Sequence, residues 1–175
     1  MISVVNAVFI NGTVGVGKTS AGEALSALQA DAGQWNAFID VDTVRRLRPS
    51  PVGDRFQHEL ELQNLRDLAN NYRNAGARQL ILAGVIEDRV EIPRYARALR
   101  VNRMFVCRLI ADASVVDARL VMRHANDPAG LEWHLHRNRE LSAILDRADL
   151  DDRVVDSTNL TPTQIATTIK IAVGW

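Results

Sequence analysis

Gly12-Thr13-Val14-Gly15-Val16-Gly17-Lys18-Thr19 satisfies every fixed position of the pattern G-x-x-x-x-G-K-[ST], and its flanks supply the setting that this pattern requires. Before it, Val4 to Ile10 is a β-branched apolar run that reads as a buried strand entering Asn11-Gly12. After it, Ala21, Ala24, Leu25 and Leu28 recur at helical spacing from a start near Lys18, and Gly33 lies where that helix ends. Strand, glycine loop and helix in this order make a phosphate cradle. The glycines let backbone amides converge on phosphate oxygens, Lys18 brings a point charge, and Thr19 presents a hydroxyl to magnesium. A chance glycine turn would not need both flanking elements.

Working outward, Trp35 to Ile39 reads as a second strand, followed by a brief helix that must stop by Arg48 because Pro49 and Pro51 bracket a turn. Phe56 to Ala75 is the longest helical stretch, with Leu60, Leu65, Leu68 and Tyr72 on its expected buried face. Gln79 to Val85 and Met104 to Ile110 read as strands, with a helix over Ile92 to Leu99 between them. Ala113 to His124 is helical, Asn126 to Gly130 breaks it, and Leu131 to Asp146 resumes it. Arg153 to Val155 is the last strand, and Thr161-Pro162 opens the terminal helix. Strands alternating with helices five times predict one α/β domain over residues 1–175: a five-stranded parallel sheet with helices on both faces, its ligands at the carboxyl ends of the strands.

Composition narrows the partners. At 175 residues the chain suits one domain, and its 21 basic residues balance its 21 acidic ones, so no basic groove for nucleic acid is expected. The single cysteine, Cys107, lies in an apolar run and reads as a buried, inert thiol, which fits a reducing cytoplasm. No leader-like start and no membrane-length apolar stretch is present, so neither export nor membrane spanning is expected.

Asp40 and Asp42 stand just past the second strand. One carboxylate there can orient magnesium while the other accepts the proton of an attacking hydroxyl; alternatively, either simply caps the helix near Thr43. The phosphate loop followed by Phe38-Ile39-Asp40-Val41-Asp42-Thr43 resembles the shikimate and gluconate kinases and, more loosely, chloramphenicol phosphotransferase and adenylylsulfate kinase. The resemblance implies a P-loop NTPase fold with a small helical lid at about 119–137, and ATP and Mg2+ as cofactors. It puts Thr19 and Asp40 on the magnesium and Asp42 on the acceptor hydroxyl as base. It also implies nucleotide contacts from Gly12, Thr13, Gly15, Val16, Gly17, Lys18, Thr19 and Ser20. One departure is that the third strand ends in Ala83-Gly84-Val85-Ile86 with no Walker-B carboxylate, which makes Asp40 matter more; Glu87 and Asp88 are fallback ligands expected to be solvated. Gly84 sits where the resembling kinases carry glycines beside the substrate, though a tight strand exit explains it equally.

Arg119 and Arg123, four apart on one helical face, resemble the lid arginines of nucleoside monophosphate kinases, with Arg137 able to join from the returning helix. The open alternative is a solvated face paired with Asp112, Asp117 or Asp127. Asn159, in Asp156-Ser157-Thr158-Asn159, resembles the loop beside the adenine, or caps the last helix. Arg45, with Arg46, Arg48, Arg55, His58 and Arg66, lies where related kinases bind the acceptor, enough to hold an anionic or polyhydroxylated compound unless the cluster is merely solvated. His58 reads as a surface residue, and Trp133, in the lid return, reads as core packing ahead of an aromatic contact to substrate.

The sequence thus points to an ATP-dependent kinase acting on a hydroxyl of a metabolite or antibiotic, with Lys18, Asp42, Arg119 and Arg123 catalytic and Asp42, Arg45 and Gly84 at the acceptor. A monomer or homodimer free of nucleic acid and membrane is expected. The rivals are a nucleoside monophosphate kinase and a nucleotide-dependent switch or assembly ATPase without a small-molecule acceptor.

Overall fold

A computed structural model describes residues 5–54 and 56–175. Val4, the start of the expected first strand, and Arg55 of the arginine cluster lie outside the described residues.

Parallel pairing explains the apolar runs. Strands β1 (Ala7–Gly12), β2 (Asn36–Asp40), β3 (Gln79–Ala83), β4 (Met104–Ile110) and β5 (Arg153–Asp156) form one sheet in the order β2-β3-β1-β4-β5, every neighbouring pair parallel. β1 is central, so all six of its residues are buried. Its side chains alternate between two cores. Ala7 and Phe9 join Leu80, Leu82, Met104 and Val106 on one face, where α2 (His58–Asn74) brings Leu65 and Ala69 and α3 (Ile92–Ala98) brings Tyr95. Val8 and Ile10 join Ile81, Cys107 and Leu109 on the other, beneath α1 (Lys18–Asp31), α4 (Ala113–Arg123) and α6 (Pro162–Val173). The period of two thus sorts each strand between two helical layers. Cys107 is fully buried, and burial pushes its thiol up to about 12, so it stays protonated.

Several boundaries moved for identifiable reasons. β2 and β5 each run one residue further than the sequence suggests, because Asp40 pairs with Ala83 and Asp156 with Ile110. The expected break at Asn126–Gly130 shrinks to a short turn: Asp127 accepts from the Gly130 amide at 3.0 Å and Pro128 occupies the first turn of α5 (Pro128–Ala148). Tyr72, expected on the buried face of α2, is exposed near the end of that helix, while Glu61 occupies the buried phase instead. No helix among the described residues is long and apolar enough to cross a membrane.

One glycine fixes how the phosphate loop leaves the sheet. Gly12 has φ +138°, and a Cβ there would lie 2.5 Å from the Leu109 carbonyl oxygen, a backbone atom with little room to yield. Gly12→Ala is expected to cost about 1–3 kcal/mol of stability, seen as a lowered urea midpoint with unchanged m-value. An unshifted midpoint would show that the loop can rearrange without strain.

Candidate active site

The carboxyl ends of the strands open into a cavity of about 760 Å³ whose walls include the loop from Val14 to Ser20, Asp40, Asp42, Arg45, Arg119 and Arg123. At its floor Gly17, left-handed at φ 98°, caps α1, and the space into which a Cβ would project is open. No oxygen of the described residues accepts a hydrogen bond from the amides of Gly15, Val16 and Gly17. These donors at a helix N-terminus suit a phosphate chain. Asn11 braces the loop from behind: its Oδ1 accepts from the amides of Gly12 and Ile86, and its Nδ2 donates to the Ile86 carbonyl. Ser157 Oγ, 2.9 Å from the Val16 carbonyl, ties the β5 loop to the same turn.

Lys18 folds back along the loop. Its ammonium donates to the carbonyls of Gly12 at 2.9 Å and Thr13 at 2.8 Å, so these two residues hold the lysine rather than line the cavity. Burial of the ammonium lowers its pKa to about 8, against the upward pull of Asp42 and Asp40, although part of the residue remains open to the cavity. Arg123 and Arg45 add downward pressure. A bound phosphate chain would supply the missing counter-charge.

Thr19 Oγ1 donates to Asp40 Oδ2 at 2.9 Å, while Asp40 Oδ1 accepts from the Asp42 amide at 3.0 Å. The capping reading of Asp40 is therefore present, and it coexists with a carboxylate oxygen beside the loop hydroxyl. These hard oxygen donors fit magnesium, which takes one or two protein oxygens and completes its shell from water and phosphate. No cluster of three His, Cys, Asp or Glu among the described residues has metal-holding geometry.

Beyond Asp42 lies a network the sequence did not reveal. Arg45 donates to Asp42 Oδ1 at 2.5 Å, and its other nitrogen is 3.0 Å from Glu61 Oε2. Glu61 is 0% exposed and also accepts from the Tyr95 hydroxyl. Burial pushes the Glu61 carboxyl above its usual range despite the Tyr95 hydrogen bond and the Arg45 charge. Burial also works against the Arg45 charge, but Glu61 and Asp42 outweigh it and hold the guanidinium above its ordinary value. The pair favours the arginine more than the carboxylate because Glu61 is the wholly enclosed partner. His58, expected at the surface, is half-buried, tilted against the Tyr95 ring, with Nε2 2.6 Å from Glu91 Oε2. The clue was a glutamate in the apolar phase of a helix: Gln57, Glu61, Leu65 and Ala69 are buried at intervals of four. Glu61→Ala is expected to cost about 3 kcal/mol, since it strands a partly buried guanidinium, and chemical denaturation measures it. A loss below about 1 kcal/mol would mean that water or Asp42 alone satisfies Arg45.

The remaining candidates separate. Arg119 donates to the Gly15 carbonyl at 3.1 Å, and neither it nor Arg123 pairs with Asp112, Asp117 or Asp127 among the described residues. Arg137 lines the cavity and is bonded to Glu87 and, at 2.8 Å, to Glu140, so Glu87 is not merely solvated. Trp133 is 46% exposed and also lines the cavity, correcting its reading as core. Gly84 is not among the residues lining the cavity: it is buried at the strand exit behind the site, where a Cβ would press on Val41 and Phe9. Asn159 is exposed and away from the cavity walls, which Leu160, Pro162 and Ile165 supply on that side. Thr161 caps α6 through a reciprocal pair with Gln164.

A parallel sheet in this order, its central strand feeding a Lys-Thr phosphate loop, is the fold of the small P-loop kinases. Solved structures share it across nearly the whole chain. The tunicamycin resistance protein of Deinococcus radiodurans is 24% identical, with 97% of this chain and 96% of that chain covered and a TM-score of 0.63. A sugar kinase from Janibacter sp. HTCC2649 is 19% identical over 97% and 95% of the two chains, with a TM-score of 0.65. The shikimate kinase of Acinetobacter baumannii, in complex with shikimate, is 18% identical over 98% and 95%, with a TM-score of 0.60. No protein-family model and no curated protein sequence matches the chain.

Proposed function

We propose that this protein is an ATP- and magnesium-dependent kinase that phosphorylates a hydroxyl group of a small molecule. The observation that carries the reading is that Lys18, the Thr19–Asp40 pair and Asp42 share one cavity large enough for a nucleotide and a second ligand. A switch protein has no evident use for a second carboxylate beside the magnesium position, with room next to it. Kinases among the structural neighbours accord with this.

On this reading the loop amides and Lys18 hold the β and γ phosphates, and Thr19 and Asp40 hold magnesium, which would neutralise charge on the phosphate oxygens. Asp42 receives the proton of the acceptor hydroxyl as that oxygen bonds to the γ-phosphorus. The bond from the γ-phosphorus to the β–γ bridging oxygen breaks, and ADP leaves. Arg45 fixes one Asp42 oxygen, and no described residue donates to the other, leaving it for the acceptor. Arg119 and Arg123, from the helix over the loop, supply positive charge to the transferring group. The segment at about 119–137, from the end of α4 into α5, acts as a lid that excludes water.

The deciding experiment measures ADP release from ATP and magnesium across sugar acids, nucleosides, nucleotides, amino alcohols and aryl alcohols, with Asp42→Asn in parallel. Stimulation by one class, lost in the variant, supports the kinase. Nucleotide binding without stimulation by any class favours the switch.

A further inference from the structure

Within that kinase reading, the walls on the β2 and β3 side of the cavity discriminate between acceptor classes. An anionic acceptor needs donors that are free to turn toward it, and among the described residues the guanidinium groups on this wall are already committed. Arg45 bridges Asp42 and Glu61. Arg137 bridges Glu87 and Glu140. Arg94, behind the wall, bridges Glu59 and Glu91, and Glu91 also holds His58. Arg46 and Arg48 do not reach the cavity wall. Among the described residues, the carboxylates Asp42, Glu87, Asp88 and Glu91 line this side against the guanidinium groups of Arg45 and Arg137 alone, so a carboxylate or phosphate would enter a field of its own sign and break an existing pair.

The same side carries aromatic surface. Trp133 and Phe56 are each about half exposed on the cavity wall, Tyr95 and Ile86 lie deeper, and the Phe56 ring sits 5.6 Å from Arg137 Cζ. Half-exposed aromatic rings in a concave site favour a ligand with an apolar face. Of the described lysine and arginines that line the cavity, the three without a carboxylate bond, Lys18, Arg119 and Arg123, lie on the phosphate-loop side.

We propose that the acceptor is an uncharged or cationic alcohol with an apolar ring face, and that Glu87 sets this preference by occupying Arg137. The proposal rests on the kinase reading, and its test is a binding measurement that separates the two. The probes are para-hydroxymethyl benzoate, para-benzenedimethanol and para-aminomethyl benzyl alcohol, which share ring and hydroxyl but differ in charge. Each is titrated into the full chain saturated with magnesium and a non-hydrolysable ATP analogue, by calorimetry or ligand-observed NMR. The diol and the amine are expected to bind at least about tenfold tighter than the benzoate. Glu87→Gln, which frees one face of Arg137, is expected to narrow that gap several-fold. Equal or tighter binding of the benzoate, or no binding of any probe, overturns the proposal. So does a Glu87→Gln change that weakens all three equally or leaves the gap intact, because a purely structural role would do either. The kinase reading is judged separately, by acceptor-stimulated ADP release from ATP and magnesium in the wild type against Asp42→Asn.

Discussion

Asp42→Asn should lower acceptor-stimulated ADP release by about 10²–10⁴-fold while leaving ATP affinity within about twofold. The substitution preserves shape, and the asparagine oxygen can still accept from Arg45, so the bridge to Glu61 is retained. What is lost is the anionic oxygen that takes the hydroxyl proton. Because that interaction forms as the proton moves, kcat and kcat/KM should fall together. Arg45→Lys separates positioning from proton transfer. A lysine cannot hold Asp42 and Glu61 in one planar fork, so the carboxylate remains but its aim is lost. The expected result is a smaller fall in kcat with a rise in acceptor KM. If Asp42→Asn turns over at the wild-type rate, Asp42 serves only as the partner of Arg45 and the base lies elsewhere.

The two halves of this site were unequally legible in the sequence. The phosphate loop is a local device: contiguous residues between a strand and a helix carry all of its chemistry, so spacing alone locates Lys18 and Thr19. Asp40 and Asp42 were nearly as visible because they follow a short apolar run, and Asp40 takes the strand's last position, beside Thr19. The acceptor half is assembled from parts far apart in the chain. Glu61 and Tyr95 are 34 residues apart, and Arg137 and Glu87 are 50 apart. Nothing in the local pattern says that an arginine cluster is neutralised by carboxylates from other helices. The sequence therefore suggested arginines able to hold an anionic or polyhydroxylated compound, or a solvated cluster, while on the acceptor side of the wall Arg45 and Arg137 are already paired with carboxylates. Trp133 failed for a related reason: helical periodicity cannot distinguish a face turned to the core from one turned to a cavity.

Lys18→Met should abolish phosphoryl transfer, by about 10³-fold or more, and should also change what nucleotide binding does to protons. In the free protein, burial holds the Lys18 pKa at about 8, with Asp42 and Asp40 pulling it up and Arg123 and Arg45 pushing it down. A phosphate chain beside the ammonium favours its charged form and raises that pKa. At pH 8 binding should therefore take up about half a proton per site; well below pH 8 uptake vanishes because the lysine is already charged. Calorimetry in two buffers of different ionisation enthalpy reads this directly, and Lys18→Met should remove the difference. The sign for stability follows from the same shift. Since the folded pKa lies below the ordinary lysine value of 10.5, the unfolded chain binds more protons between about pH 8 and 10.5. The free protein should gain stability as pH rises through that window. Below pH 8 the full cost of the buried ammonium remains, so Lys18→Met should be at least as stable as wild type there, judged by its denaturation midpoint. Equal proton uptake by wild type and variant would show that Lys18 is already fully charged in the free protein. The loop would then bind nucleotide without the electrostatic change argued here.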